Sequence, residues 1–286
     1  MSVSDAEEAR AALEGGAHII DAKDPTRGSL GAVAPETLDA IVRAVDGRAP
    51  VSAALGDAQS SGAIGAAARH AAESGTAFVK IGFRGIEHDA GAIAIAAAAV
   101  RGAAPLGTRV VLVAYADARR ARSLEPRRVV EIAAQARAHG VILDTAFKDR
   151  GSLFTLLPAH EVRALVALAH ERGLLASLAG SIGVEGVALA RALGADIAGV
   201  RGAACAGGRT GRVTAERVAP LAAAAASEVA DAAVAAGAGA AAGTMAGADP
   251  WGPPPDIEDG APYLPAPHRF GAARITPPRG MLRRPS

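Results

Sequence analysis

Lys23, Lys80 and Lys148 are the only lysines in the chain, and each follows or sits within an apolar run. The runs are Ile19-Ile20-Asp21-Ala22-Lys23-Asp24-Pro25, Phe78-Val79-Lys80-Ile81-Gly82 and Val141-Ile142-Leu143-Asp144-Thr145-Ala146-Phe147-Lys148-Asp149. A lysine at its ordinary pKa of about 10.4 is protonated and not nucleophilic. Burial and neighbouring cations lower that pKa, and a free amine can then attack a carbonyl to form a Schiff base. Asp21 and Lys23 are two residues apart, so on a strand they share a face. Asp144 and Lys148 also share parity. Asp21 and Asp144 would limit the repulsion between ammonium groups and relay protons, and Asp24 beside Lys23 could accept one. The bland alternative is a stabilising network of ion pairs.

Two later stretches read as anion cradles. Leu178-Ala179-Gly180-Ser181 and Gly199-Val200-Arg201-Gly202-Ala203-Ala204 each end an apolar strand in glycine and small residues. Gly180, Ser181 and Gly202 would offer backbone N–H groups to a phosphate, with Arg201 adding a charge-assisted contact. Further strands end in Asp57 and Asp117.

The elements that must position these residues alternate. Strands are predicted over 17–23, 50–56, 76–82, 109–117, 140–147, 174–180 and 196–201. Helices are predicted over 5–15, 35–45, 62–74, 88–101, 126–138, 159–172, 184–193 and 213–228. Alternation at roughly 30-residue spacing specifies an α/β protein with a parallel sheet. There is one more helix than strands, and the chain begins with a helix. A (β/α)8 barrel whose first strand is reduced to Met1-Ser2-Val3-Ser4 fits this count, with an open doubly wound sheet as the alternative. The shortened strand predicts either a start further upstream or a seam covered by a partner or by the tail. In a barrel, all the strand ends meet on one face, where chemistry sits and where phosphate is held after the last two strands.

The 286 residues are half apolar but only 3% aromatic, so the core must be alanine and branched aliphatics. A net charge of +1 gives no reason to expect a nucleic-acid or membrane partner. Alanine runs such as that over 92–100 read as too short and too weakly apolar to cross a bilayer. The single Cys205 excludes an internal disulfide and a cysteine-rich metal site. No Gly-x-Gly-x-x-Gly follows the first strand, and the spacings of His70, His88 and His160 suggest no metal site, so no cofactor is expected. The polar, acidic first ten residues read against a leader, and a cytoplasmic location is expected. Residues 1–230 form the expected barrel domain. Residues 231–286, rich in Ala, Gly and Pro, read as a disordered tail dispensable for chemistry. Trp251, Tyr263 and Phe270 there could form a docking motif.

Taken together, the stretches 19–25, 28–32 (Gly-Ser-Leu-Gly-Ala), 79–82, 143–149, 178–181 and 199–205 closely resemble those of the (5-formylfuran-3-yl)methyl phosphate synthase family of methanofuran biosynthesis. The resemblance covers about residues 2–228. It implies a TIM barrel that condenses two molecules of glyceraldehyde 3-phosphate into a phosphorylated furan aldehyde, a lyase eliminating phosphate. It implies Lys23 as the Schiff-base lysine, Lys80 in proton transfer, and Asp21, Asp144 and Lys148 as supporting charged residues. Strand-end position alone leaves the roles of Lys23 and Lys80 open. Alternatives are a class I aldolase-like lyase acting on another phosphorylated aldehyde and an inactive barrel used as a binding subunit. A small phosphorylated aldehyde is the expected substrate, and a homo-oligomer is left open.

Overall fold

The computed structural model describes residues 1–57 and 60–226. The tail expected at 231–286, with its aromatic residues, lies outside the described residues. The chain runs β1 (Ser2–Val3), α1 (Ala6–Glu14), β2 (Ile20–Ala22), α2 (Pro35–Val45), β3 (Val51–Asp57) and α3 (Ser61–Glu73). It continues with β4 (Phe78–Gly82), α4 (Asp89–Ala103), β5 (Arg109–Tyr115), a one-turn α5 (Ala118–Ala121), α6 (Pro126–Gln135) and β6 (Gly140–Asp144). A one-turn α7 (Leu153–Leu156), α8 (Ala159–Glu171), β7 (Leu175–Leu178), α9 (Val184–Ala192) and β8 (Ile197–Ala198) follow. A hairpin of β9 (Cys205–Ala206) and β10 (Arg212–Val213) precedes α10 (Ala215–Ala226).

Strands β1 to β8 are parallel and lie in sequence order, the topology of a β/α barrel. Ser2 N donates to Val200 O at 2.9 Å, which brings the end of the eighth strand back to the first. The first strand is as short as the sequence reading expects, and Ser2 and Val3 pair in register with Asp21 and Ala22. Alternation sorts the strand side chains. Val79 and Ile81 of β4 pack outward with the helices, whereas Phe78 joins Val111, Val113, Tyr115, Ile142 and Leu175 in the lumen.

The helices follow from local chemistry. Asp5 caps α1 by accepting from Glu7 N and Glu8 N, and Pro35 opens α2 at its first turn. Leu38, Ile41 and Val45 give α2 its buried stripe. With few aromatics to fill space, α3 and α4 pack through small residues. A Cβ on Gly102 would stand 2.3 Å from Gly65 O. The span Asp89–Leu106 is long and apolar enough by length and composition to cross a membrane. Here it is a shell helix packed on α3, α6 and β5.

The β9–β10 hairpin is absent from the sequence reading, and a buried ion pair fastens it. Arg201 Nη1 donates to Glu8 Oε2 at 2.8 Å, with the two side chains 4% and 1% exposed. Glu8 also accepts from Ser4 N, Ser4 Oγ and Val213 N, so one carboxylate ties α1 to β1 and to the hairpin. Removing one partner of such a pair strands a buried charge and costs about 3–5 kcal/mol, more than the pair contributes relative to apolar replacements. Glu8→Leu and Arg201→Met are each expected to lower stability in urea unfolding. The double variant should cost less than the sum of the two by at least about 1 kcal/mol. Strictly additive losses would show that the two side chains do not depend on each other.

Candidate active site

The register of the sheet places Ser2, Asp21 and Ser52 side by side on β1, β2 and β3. Their side chains meet. Ser2 Oγ donates to Asp21 Oδ2 at 2.7 Å, and Ser52 Oγ donates to Asp21 Oδ1 at 2.6 Å. Lys80, reaching across from β4, places its Nζ 2.6 Å from Asp21 Oδ2. Burial alone would raise the pKa of Asp21, but the charges of Lys80 and Lys23 and the bond from Ser52 outweigh it and hold the carboxyl at about 2. Asp21 is therefore a fixed anion. The apolar sequence neighbours of Lys80 suggest an isolated amine; the fold instead pairs it with a carboxylate two strands away.

Asp144 ends β6 and anchors Lys148. Asp144 Oδ1 accepts from Lys148 Nζ at 2.7 Å and from Thr145 N at 2.7 Å. Lys148 Nζ donates also to Thr145 O at 2.6 Å and Thr145 Oγ1 at 2.9 Å, which occupies its three N–H groups. Burial opposes ionisation of Asp144, but Lys148 and Lys23 nearby lower its pKa. The loop carrying Lys148 is pinned from outside. Asp117 accepts from Ala146 N at 2.7 Å and Phe147 N at 2.9 Å, and Arg120 lies 4.0 Å from the Phe147 ring centroid while bonding Asp149.

Lys23 is different. It is 8% exposed and, of the three lysines, it alone has no carboxylate within ion-pair distance among the described residues. Burial lowers its pKa to about 8, the charge of Lys80 adds to the effect, and Asp144 and Asp21 pull the other way. At neutral pH roughly a tenth of this amine is unprotonated, far more than for a free lysine. Asp24, expected from the sequence as a proton acceptor beside Lys23, is committed elsewhere: its carboxylate accepts from Thr26 N and Thr26 Oγ1 and caps the turn after β2.

Lys23, Lys80, Lys148, Asp21 and Asp144 line one open cavity of about 1280 Å³, together with Gly180, Ser181, Arg201, Gly202 and Arg209. Gly180 and Ser181 have φ of 103° and 55°. A serine in the left-handed region is strained, and such strain gathers at functional loops. The N–H groups of Gly180 and Ser181 donate to no protein acceptor among the described residues, which leaves them available to an anion. Arg201 corrects the sequence reading. Its five N–H groups go to Arg209 O, Ser2 O, Gly211 O and the two oxygens of Glu8. It is a structural cation with no donor left for a phosphate.

Sequence reasoning missed Ser2, Ser52 and Arg209. Ser52 carried a signal, as a hydroxyl amid the apolar residues of an expected buried strand. Arg209 carried none, because nothing in its glycine-rich surroundings marks a hairpin aimed at the strand ends.

Eight parallel strands with lysines and aspartates in their lumen and at their C-terminal ends define a β/α-barrel protein of the enzyme class. The fold is shared with 3-hexulose-6-phosphate synthase from Salmonella typhimurium, at TM-score 0.54 and 16% identity over 77% of this chain and 96% of that one. It is shared too with phosphoribosyl anthranilate isomerase from Thermus thermophilus, at TM-score 0.52 and 17% identity over 78% and 94%. The model of the family described as 4-HFC-P synthase matches residues 1–222, and the chain belongs to that family. A relative named (5-formylfuran-3-yl)methyl phosphate synthase from Methanopyrus kandleri is 44% identical over 202 residues, 70% of this chain and 85% of the relative. Another of that name, from Methanocaldococcus jannaschii, is 40% identical over 211 residues, 73% and 90%.

The depressed pKa of Lys23 is also a statement about stability. Between about pH 8 and 10.5 the unfolded state holds more protons at this residue than the folded state, so stability rises with pH across that window. Lys23→Met is expected to be more stable than the wild type at pH 7 by about 1–3 kcal/mol, with the gap closing as pH rises through 8 towards 10.5. Urea unfolding at a series of pH values checks this; a gap that does not change with pH contradicts it.

Proposed function

We propose that the protein is a (5-formylfuran-3-yl)methyl phosphate synthase, a lyase that condenses two molecules of glyceraldehyde 3-phosphate. One phosphate and two waters leave as the furan ring forms. The observation that carries this reading is the amine of Lys23, buried, unpaired and held near a pKa of 8, beside two lysines already committed to carboxylates.

In this reading Lys23 Nζ attacks the aldehyde carbon of one substrate, and the carbinolamine loses water to give an imine. Lys80 is the acid–base group. Its contact with Asp21 orients it, so it can give a proton to the departing hydroxyl and recover one from the carbon next to the imine. The resulting enamine is a carbon nucleophile for the second aldehyde. Asp21 is too weak a base for these transfers and acts as a fixed counter-charge. Lys148, gripped by Asp144 and Thr145, offers the leaving phosphate a fixed charge nearby rather than a free N–H. The N–H groups of Gly180 and Ser181, free among the described residues, would hold a phosphate as the substrate enters, with Gly202 beside them on the cavity wall.

Borohydride added with glyceraldehyde 3-phosphate is expected to trap an adduct on the peptide containing Lys23. Lys23→Ala should abolish trapping. Lys80→Ala should still trap, yet form no furan chromophore and release no phosphate. Trapping on Lys80 or Lys148 would reverse the roles. A Lys23 adduct without any furan product from wild-type protein would favour an aldolase-like lyase of different specificity.

A further inference from the structure

Arg209 stands at the tip of the β9–β10 hairpin, in the turn Gly207-Gly208-Arg209-Thr210-Gly211. Its backbone is fixed by the buried cation that the sequence reading would have given to the substrate. Arg201 Nε donates to Arg209 O at 2.9 Å, and Arg201 Nη2 donates to Gly211 O at 3.2 Å. Gly211 packs so closely that a Cβ there would lie 1.8 Å from Ala206 O. The turn is thus a rigid mount.

The mount aims a guanidinium at the reactive lysine's loop. Arg209 Nη1 donates to Pro25 O at 3.3 Å, and Nη2 donates to Gly28 O at 2.8 Å, both in the segment that follows Lys23. These contacts use two of its five N–H groups. Arg209 has no carboxylate in ion-pair contact among the described residues, though it is only partly exposed and lines the cavity with Lys23, Gly180 and Gly202. On its other side, a Cβ on Gly202 would come 3.9 Å from Arg209 Cβ, so the guanidinium's stem stands beside the backbone cradle. Burial lowers its pKa and the charge of Asp144 partly restores it. A half-buried guanidinium that keeps free donors and lacks an anion is an incomplete pair. Arg201 and Lys80, by contrast, are each completed by a carboxylate, Glu8 and Asp21.

We infer that Arg209 is the phosphate-binding cation of the site, and that Arg201 acts through the hairpin to position it. The inference deepens the function proposed above, since it names the residue that selects a phosphorylated aldehyde over a plain one. A guanidinium offers a phosphate two parallel N–H bonds, which fix direction as well as position.

Trapping by borohydride separates the two ideas. In the wild type, glyceraldehyde 3-phosphate should trap on Lys23 far more readily than glyceraldehyde, which carries no phosphate. Arg209→Gln should lose at least tenfold in trapping with the phosphorylated aldehyde, with little change for glyceraldehyde. Arg209→Lys should recover part of the loss. Inorganic phosphate should bind wild-type protein by calorimetry and bind Arg209→Gln at least tenfold more weakly. On unmodified protein, phenylglyoxal should label Arg209, and inorganic phosphate should protect it, a test that needs no variant to fold. Undiminished phosphate binding in folded Arg209→Gln, or labelling that phosphate does not slow, would overturn the inference. Phosphate binding through Arg209 without any furan product would retain it and remove the proposed reaction instead.

Discussion

The site depends on one buried carboxylate. Asp21 takes hydrogen bonds from Ser2 and Ser52, its register neighbours, and an ion pair from Lys80. A lone carboxylate in that place would take up a proton, because burial costs several kcal/mol for an uncompensated charge. Three donors reverse the balance and keep it ionised. The fixed anion holds the Lys80 side chain within the lumen, and the charge of Lys80 helps to depress Lys23. Carbonyl chemistry needs one neutral amine and one charged acid in the same small space. A parallel sheet brings two amines together by setting Asp21 within β2, Lys23 just past its end and Lys80 two strands away.

The second organising pair works at a distance. Glu8 and Arg201 join the first helix to the segment after the last strand, so they reinforce the barrel where β1 and β8 are each only two residues long. The same guanidinium grips the backbone of the hairpin that overhangs the mouth. Structural and functional arginines have thereby exchanged the parts that sequence position suggests. Arg201 lies at a strand end, where a ligand contact is expected, but its N–H groups are consumed within the protein. Arg209 lies in a glycine-rich turn and keeps donors to spare.

Most of the fold was legible because its signals are local. Apolar runs ending in charge mark the strands, and Pro35 and Asp5 mark helix starts. Lys23, Lys80, Lys148, Asp21 and Asp144 were legible as a set because so few lysines occur and each attends an apolar run. What could not be read is what depends on pairing across the sheet. The bond between Lys80 and Asp21 crosses two strands, and Ser2 and Ser52 become partners of Asp21 only through register. The bonds of Arg201 reach far along the chain, since Glu8 and Arg201 are 193 positions apart. The short hairpin has two-residue strands, too brief for periodicity to reveal.

The central claim is that Lys23 carries the amine that loses its proton near neutrality. With three lysines in the chain, protein labelled with carbon-13 at lysine Cε gives a spectrum simple enough to assign by substitution. The account predicts one resonance that titrates with a midpoint of about 8 and is missing from Lys23→Met. A resonance titrating there that persists in Lys23→Met would place the reactive amine on another lysine and contradict the account.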